Sequence, residues 1–171
     1  MGETTGMDRA VPFSSWSIGA SHPPSEGEVS MGSNTMPGAA KPARDFGEVD
    51  RRLREILEPL RSRFAVTKDS PEALAIEIPG LEGKPWGYIA GVRPGKSYVS
   101  FYLMSVYASP ELMASMSPEL RRRMQGKACF NFTKVEEPLF AELARLTQAG
   151  LAPFVASARQ VDRERTPARS R

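Results

Sequence analysis

One histidine and one cysteine stand in a chain of 171 residues, and this scarcity removes several chemistries at once. The histidine, His22, falls in a Gly/Ser/Pro/Thr-rich stretch with no large-aliphatic period. Nucleophile systems built on Ser-His or Cys-His need an imidazole held within hydrogen-bond reach, and none is expected in the folded part. A zinc site of His and Cys ligands lacks its donors for the same reason. Cys129 has no second thiol to pair with, which excludes an internal disulfide and fits a reducing compartment. Apolar runs fall short of the roughly 18 residues of a membrane helix, and the first residues lack the basic-then-apolar signature of a secretory signal. A cytoplasmic location with no membrane partner is the expectation. No GxGxxG follows a strand and no GxxxxGK[ST] occurs, so nothing signals a nucleotide-phosphate cradle.

Charge of one sign is scarce as well, where it would matter. The net charge is +3, but residues 156–171 alone carry 5 basic and 2 acidic groups, whereas residues 45–155 carry 15 and 14. A near-neutral central region has no domain-wide nucleic-acid footprint, so no specific nucleic-acid partner is expected.

Three segments are predicted. Residues 1–44 cannot bury enough apolar surface to offset the entropy of ordering and read as a disordered tail. Met31 and Met36 offer alternative natural starts within it, which leaves open whether residues 1–35 belong to the natural product. Residues 45–155 read as one domain, and residues 156–171 as a charged, disordered tail or frayed helix.

The domain opens with an amphipathic helix. Phe46, Val49, Leu53, Ile56, Leu57 and Leu60 recur at helical spacing behind an N-cap at Asp45, and Pro59 predicts an end or kink near Glu58. Strands are predicted over Phe64–Lys68, Leu74–Ile78, Trp86–Val92, Lys96–Tyr107 and Lys127–Thr133, with short Gly/Pro-rich connections favouring an antiparallel meander. Ser109-Pro110-Glu111-Leu112 and Ser117-Pro118-Glu119-Leu120 each put Ser at an N-cap and Pro at the first helical position. Gly126 is expected to close the second of these helices. A last helix is predicted over Glu136–Ala149, with Gly150 as its stop. The fold class is therefore α+β: an antiparallel sheet of about five strands with an N-terminal helix and C-terminal helices packed on one face.

Two strings, GKSYVSFYLMSVY from Gly95 to Tyr107 and SPELRRRMQGKACFNF from Ser117 to Phe132, resemble the signature of the YdhG-like family of uncharacterised bacterial domains. With the last helix the resemblance spans most of residues 45–150. It implies a compact α+β domain, and one group of members is described as frataxin-like iron chaperones. Some relatives carry His where Tyr102 stands and Pro where Ser105 stands, so a metal or proton-transfer role resting on that His has no counterpart here.

Alternation along the two signature strands separates an apolar side from a mixed one. Lys96, Tyr98, Ser100 and Tyr102 share the mixed side of the first, and Lys127, Cys129 and Asn131 that of the second. Trp86 and Tyr88 are further candidates for the same surface, their register open. Aromatic bodies with polar tips suit recognition of a small molecule or a protein. A plain solvated sheet face and a self-association surface, in a monomer or a homodimer, stand as alternatives. Cys129 reads either as an inert half-buried thiol or as a thiolate favoured by Lys127. Arg121, Arg122 and Arg123 fan around their helix and read as a solvated face more readily than as an anion site. Glu48, Asp50, Glu55, Glu58, Glu136, Glu137 and Glu142 have the hard oxygens that suit iron, but arginines are interspersed among them. No catalytic residue, resident metal or cofactor is nominated. A non-catalytic binding domain is the leading expectation, with iron delivery and a His-independent enzyme as alternatives.

Overall fold

The computed structural model describes residues 46–166, within the unit Lys41–Arg171. The expectations for residues 1–44, including His22 and the alternative starts, and for the N-cap Asp45 lie outside the described residues, as does the end of the chain from residue 167. Elements follow in the order α1 (Gly47–Arg61), β1 (Ala65–Ser70), β2 (Ala73–Glu77), β3 (Tyr88–Pro94), β4 (Val99–Leu103), α2 (Met104–Ala108), α3 (Pro110–Ala114), α4 (Pro118–Arg121), β5 (Met124–Gln125), β6 (Cys129–Phe132) and α5 (Glu137–Arg165). The strands form one antiparallel six-stranded sheet in the order β1-β2-β3-β4-β6-β5. The α+β class is as expected.

Register explains how one side of the sheet becomes core. Leu74, Val92, Phe101, Phe130 and Met124 lie opposite one another from β2 across to β5, with Ile76, Ala90 and Leu103 in the next row and Val99 and Phe132 in another. Helix α1 lies across β2, β3 and β4, bringing Val49, Leu53, Leu57 and Leu60 into this layer. Helix α5 packs against α1 to α4, and its Phe140 meets Phe132 edge-on, ring centroids 5.0 Å apart.

Several boundaries differ from the sequence expectation, each for a physical reason. Helix α1 runs past Pro59 to Arg61. A proline near the C-terminal end forfeits only one helical hydrogen bond, and Leu60 is fully buried beyond it. The expected strand Lys96–Tyr107 is shorter at both ends. Lys96 and Tyr98 lie in the β3–β4 turn, and after Leu103 the chain becomes helical. Met104, Ser105 and Val106 of that helix are buried. Likewise Lys127–Thr133 contracts to β6, because Gly126, at φ 76°, turns the β5–β6 hairpin and does not cap a helix.

The largest difference concerns Gly150. Helix α5 continues through it to Arg165, so the expected domain end at 155 falls inside a helix and residues 156–165 are not a disordered tail. Leu151, Phe154 and Ala158 prolong the buried stripe of Phe140, Leu143 and Leu146. Gly150 is a close-packing residue: a Cβ there would stand 2.5 Å from Ser105 Oγ and 2.6 Å from Leu112 Cδ1. Pro153 is tolerated because it and Ala149, whose carbonyl loses its helical partner, are both on the exposed side. The two serine caps are as expected, with Ser109 Oγ accepting from Leu112 N at 3.3 Å and Ser117 Oγ from Leu120 N at 3.1 Å.

Candidate binding face

The side of the sheet opposite the helices is built from the alternate residues of the same strands. One row reads Lys68, Ala75, Gly91, Tyr102, Cys129 and Gln125 from β1 to β5, and the next reads Arg93, Ser100 and Asn131 across β3, β4 and β6. The mixed sides of the two signature strands are therefore adjacent. Ser100 Oγ donates to Asn131 Oδ1 at 2.8 Å, and Cys129 Sγ approaches the same oxygen at 3.4 Å.

Tyr88 joins this cluster through an irregularity. It shares sequence parity with Ala90 and Val92, which face the core, so regular pleating would bury it among the helices. The β2–β3 register shifts between Ile76 and Glu77, so that Ala90 opposes Ile76 while Tyr88 opposes Glu77. Ile89 is the extra residue, and it is buried. Bulges of this kind re-aim side chains. The Tyr88 hydroxyl then lies over Gly91, in the space that any Cβ at position 91 would need. A glycine at that register position is the condition for the tyrosine to lie flat across the sheet.

Burial and mutual proximity keep the cluster uncharged. Burial, with Tyr102, Glu77 and Cys129 nearby, pushes the Tyr88 phenol far above its ordinary range. Tyr102 is also raised, by burial first and then by Cys129, against opposing contributions from Ser100 and Arg93. Cys129 is raised by burial, only partly offset by hydrogen bonds with Ser100 and Tyr102. A thiol held protonated is the opposite of the activated thiolate considered above, and Lys127 is not beside it. Lys127 lies in the turn before β6, its Nζ 5.1 Å from the centroid of the Tyr107 ring. Glu77 is engaged on both oxygens, by Thr67 Oγ1 at 2.8 Å and by Gly83 N at 2.6 Å.

Of the nine candidates, the structure brings together Tyr88, Ser100, Tyr102, Cys129 and Asn131. Lys96 and Tyr98 stand apart in an exposed turn, and Lys127 at the hairpin. Trp86 has a different occupation: its Nε1 donates to Asp162 Oδ1 at 3.2 Å, and Arg165 lies 5.2 Å from its ring centroid, so it receives the end of α5. Lys84 also pairs with Asp162 and holds that carboxyl below the usual range. Arg93 was missed by sequence reasoning because Arg93-Pro94-Gly95 has the composition of a turn; its alternation with Val92 was the available signal. The chain matches no protein-family model, no curated protein and no solved structure in the comparisons made.

Away from this face, several charged groups are paired with one another. Arg52 bridges Glu55 and Glu137, Arg54 holds Asp50, Arg61 holds Glu58 and Asp69, and Arg123 holds Glu136 at 2.6 Å. Glu142 accepts from Ser117 N and Oγ at 2.7 and 2.6 Å. Arg121 donates to Met113 O, apart from Arg123, so the triple arginine forms no common patch. Among the described residues no group of three or more His, Cys, Asp or Glu side chains is placed to hold a metal ion, and no helix is long and apolar enough to cross a membrane.

Proposed function

We propose that this chain is a non-catalytic binding domain that takes a small molecule on the open face of its sheet, at Tyr88, Ser100, Tyr102, Cys129 and Asn131. One observation carries the reading. The pairing of β4 with β6 sets Ser100 opposite Asn131 and Tyr102 opposite Cys129, and the β3 bulge adds Tyr88 to the same surface. The result is a set of aromatic rings and neutral hydrogen-bonding groups on a rigid support, the composition that fixes a ligand's orientation without supplying a proton-transfer pair. The raised phenols and thiol support binding over acid–base work near neutral pH. Iron delivery has no comparable support, since the carboxylates nominated for it are largely committed to arginines and to Ser117.

The test is native mass spectrometry of the gently purified full chain beside Ser100→Ala/Asn131→Ala and Tyr98→Ala. Wild type and Tyr98→Ala are expected to carry a small molecule that the double variant loses while keeping its fold. Equal retention by all three chains would contradict the assignment, as would unfolding of the double variant.

A further inference from the structure

We propose that the open face takes a small aromatic carboxylate, its carboxylate group on the Arg93 guanidinium and its ring against Tyr102. This deepens the binding-face reading and rests on it.

The argument is one of donors, acceptors and charge. Asn131 Oδ1 receives both Ser100 Oγ and Cys129 Sγ, which orients the amide and leaves its NH2 side to a ligand. Ser100 spends its proton on that bond. Tyr102, opposite Cys129 and on the same side of β4 as Ser100, is partly exposed and offers its ring to a ligand. Both carboxylate oxygens of Glu77 are occupied. What remains beside Tyr102 are donors: the Asn131 amide and the guanidinium of Arg93, directly opposite Ser100 on β3.

Arg93 is set apart by its place. Arg51, Arg52, Arg54, Arg61 and Arg123 each hold a carboxylate; Arg93, like Arg122, Arg145, Arg159 and Arg163, is exposed without an ion-pair partner among the described residues, but it alone of these lies on the open side of the sheet, opposite Ser100. It is near enough to Tyr102 to favour charge on the phenol. An uncompensated planar fork next to an aromatic ring and an amide donor complements a planar, singly charged acceptor with a flat apolar body. A phosphate ester would bring more charge and more acceptor oxygens than this single cation and amide match.

The probe is benzoate, titrated into the isotopically labelled full chain and followed by backbone amide chemical shifts. Benzamide and phenyl phosphate serve as comparators, and Arg93→Gln and Arg93→Lys as variants. Saturable shifts are expected at Arg93, Tyr102 and Asn131, with affinity falling about tenfold or more in Arg93→Gln and less in Arg93→Lys, which keeps the charge but loses the fork. Benzamide binding this face as tightly as benzoate would overturn the carboxylate assignment and leave the binding face standing. Tighter binding of phenyl phosphate would overturn it in favour of a phosphate ligand. If no probe moves these three amides, the aromatic-carboxylate proposal falls, while the face reading is decided separately by ligand retention in Ser100→Ala/Asn131→Ala.

Discussion

The two sides of this sheet use the same five residues of β4 for opposite purposes. Val99, Phe101 and Leu103 are buried on the helical side, while the buried Ser100 and the partly exposed Tyr102 lie on the other side among Tyr88, Arg93, Cys129 and Asn131. The covered side is aliphatic and aromatic, and its contacts are non-directional. The open side is small, polar or amphipathic, and its contacts are hydrogen bonds that water can replace. Alternate residues of one strand therefore differ more in role than residues at opposite ends of the domain. Stability should follow the covered side and recognition the open one.

The sharpest way to break this comparison is to remove volume from the covered side. Phe101 is fully buried in the central row, so Phe101→Ala should cost about 3–5 kcal/mol in chemical unfolding. Tyr102→Phe, one residue away, is expected to leave the unfolding midpoint nearly unchanged. A second perturbation probes the α5–α2 contact. Gly150→Ala would drive its Cβ into Ser105 and Leu112; overpacking outweighs the gain in helix propensity, for a net loss of up to about 2 kcal/mol. Ser105→Gly in the same chain should recover part of that loss, which a propensity effect alone would not predict.

A smaller effect, confined to alkaline conditions, belongs to the open side. In an unfolded chain a phenol ionises near pH 10. Burial raises Tyr88 well above that value in the fold. The stabilisation from keeping it protonated is complete below the unfolded value and is lost as pH rises through the folded one. Unfolding free energy should therefore decline above about pH 10, and Tyr88→Phe should flatten that decline while matching wild type at pH 7.

How far the sequence made these two sides legible depended on regularity. Wherever alternation was unbroken, as in Ser100/Tyr102 and Cys129/Asn131, parity alone placed the side chains correctly. Tyr88 could not be placed because a bulge reverses the parity of everything before it, and no local composition announces that shift. Gly150 misled for another reason. A helix stop and a close helix crossing both require a missing Cβ, and only the continued stripe of Leu151, Phe154 and Ala158 separates them. The start of α2 at Met104 has no side-chain cap and no Gly or Pro before it, so the change from strand to helix after Leu103 left no mark in the sequence. Trp86 is a candidate for the surface with its register open, and its actual partner, Asp162, lies in the part of α5 that the sequence reads as a charged tail or frayed helix.

The division between the two sides is tested most directly by urea unfolding of Ser100→Ala/Asn131→Ala beside Phe101→Ala. Removing both partners of the Ser100–Asn131 bond leaves only the weakly donating Cys129 thiol without its acceptor, so the double variant is predicted to stay within about 1 kcal/mol of wild type. A loss approaching that of Phe101→Ala would contradict the account and make the open side part of the scaffold.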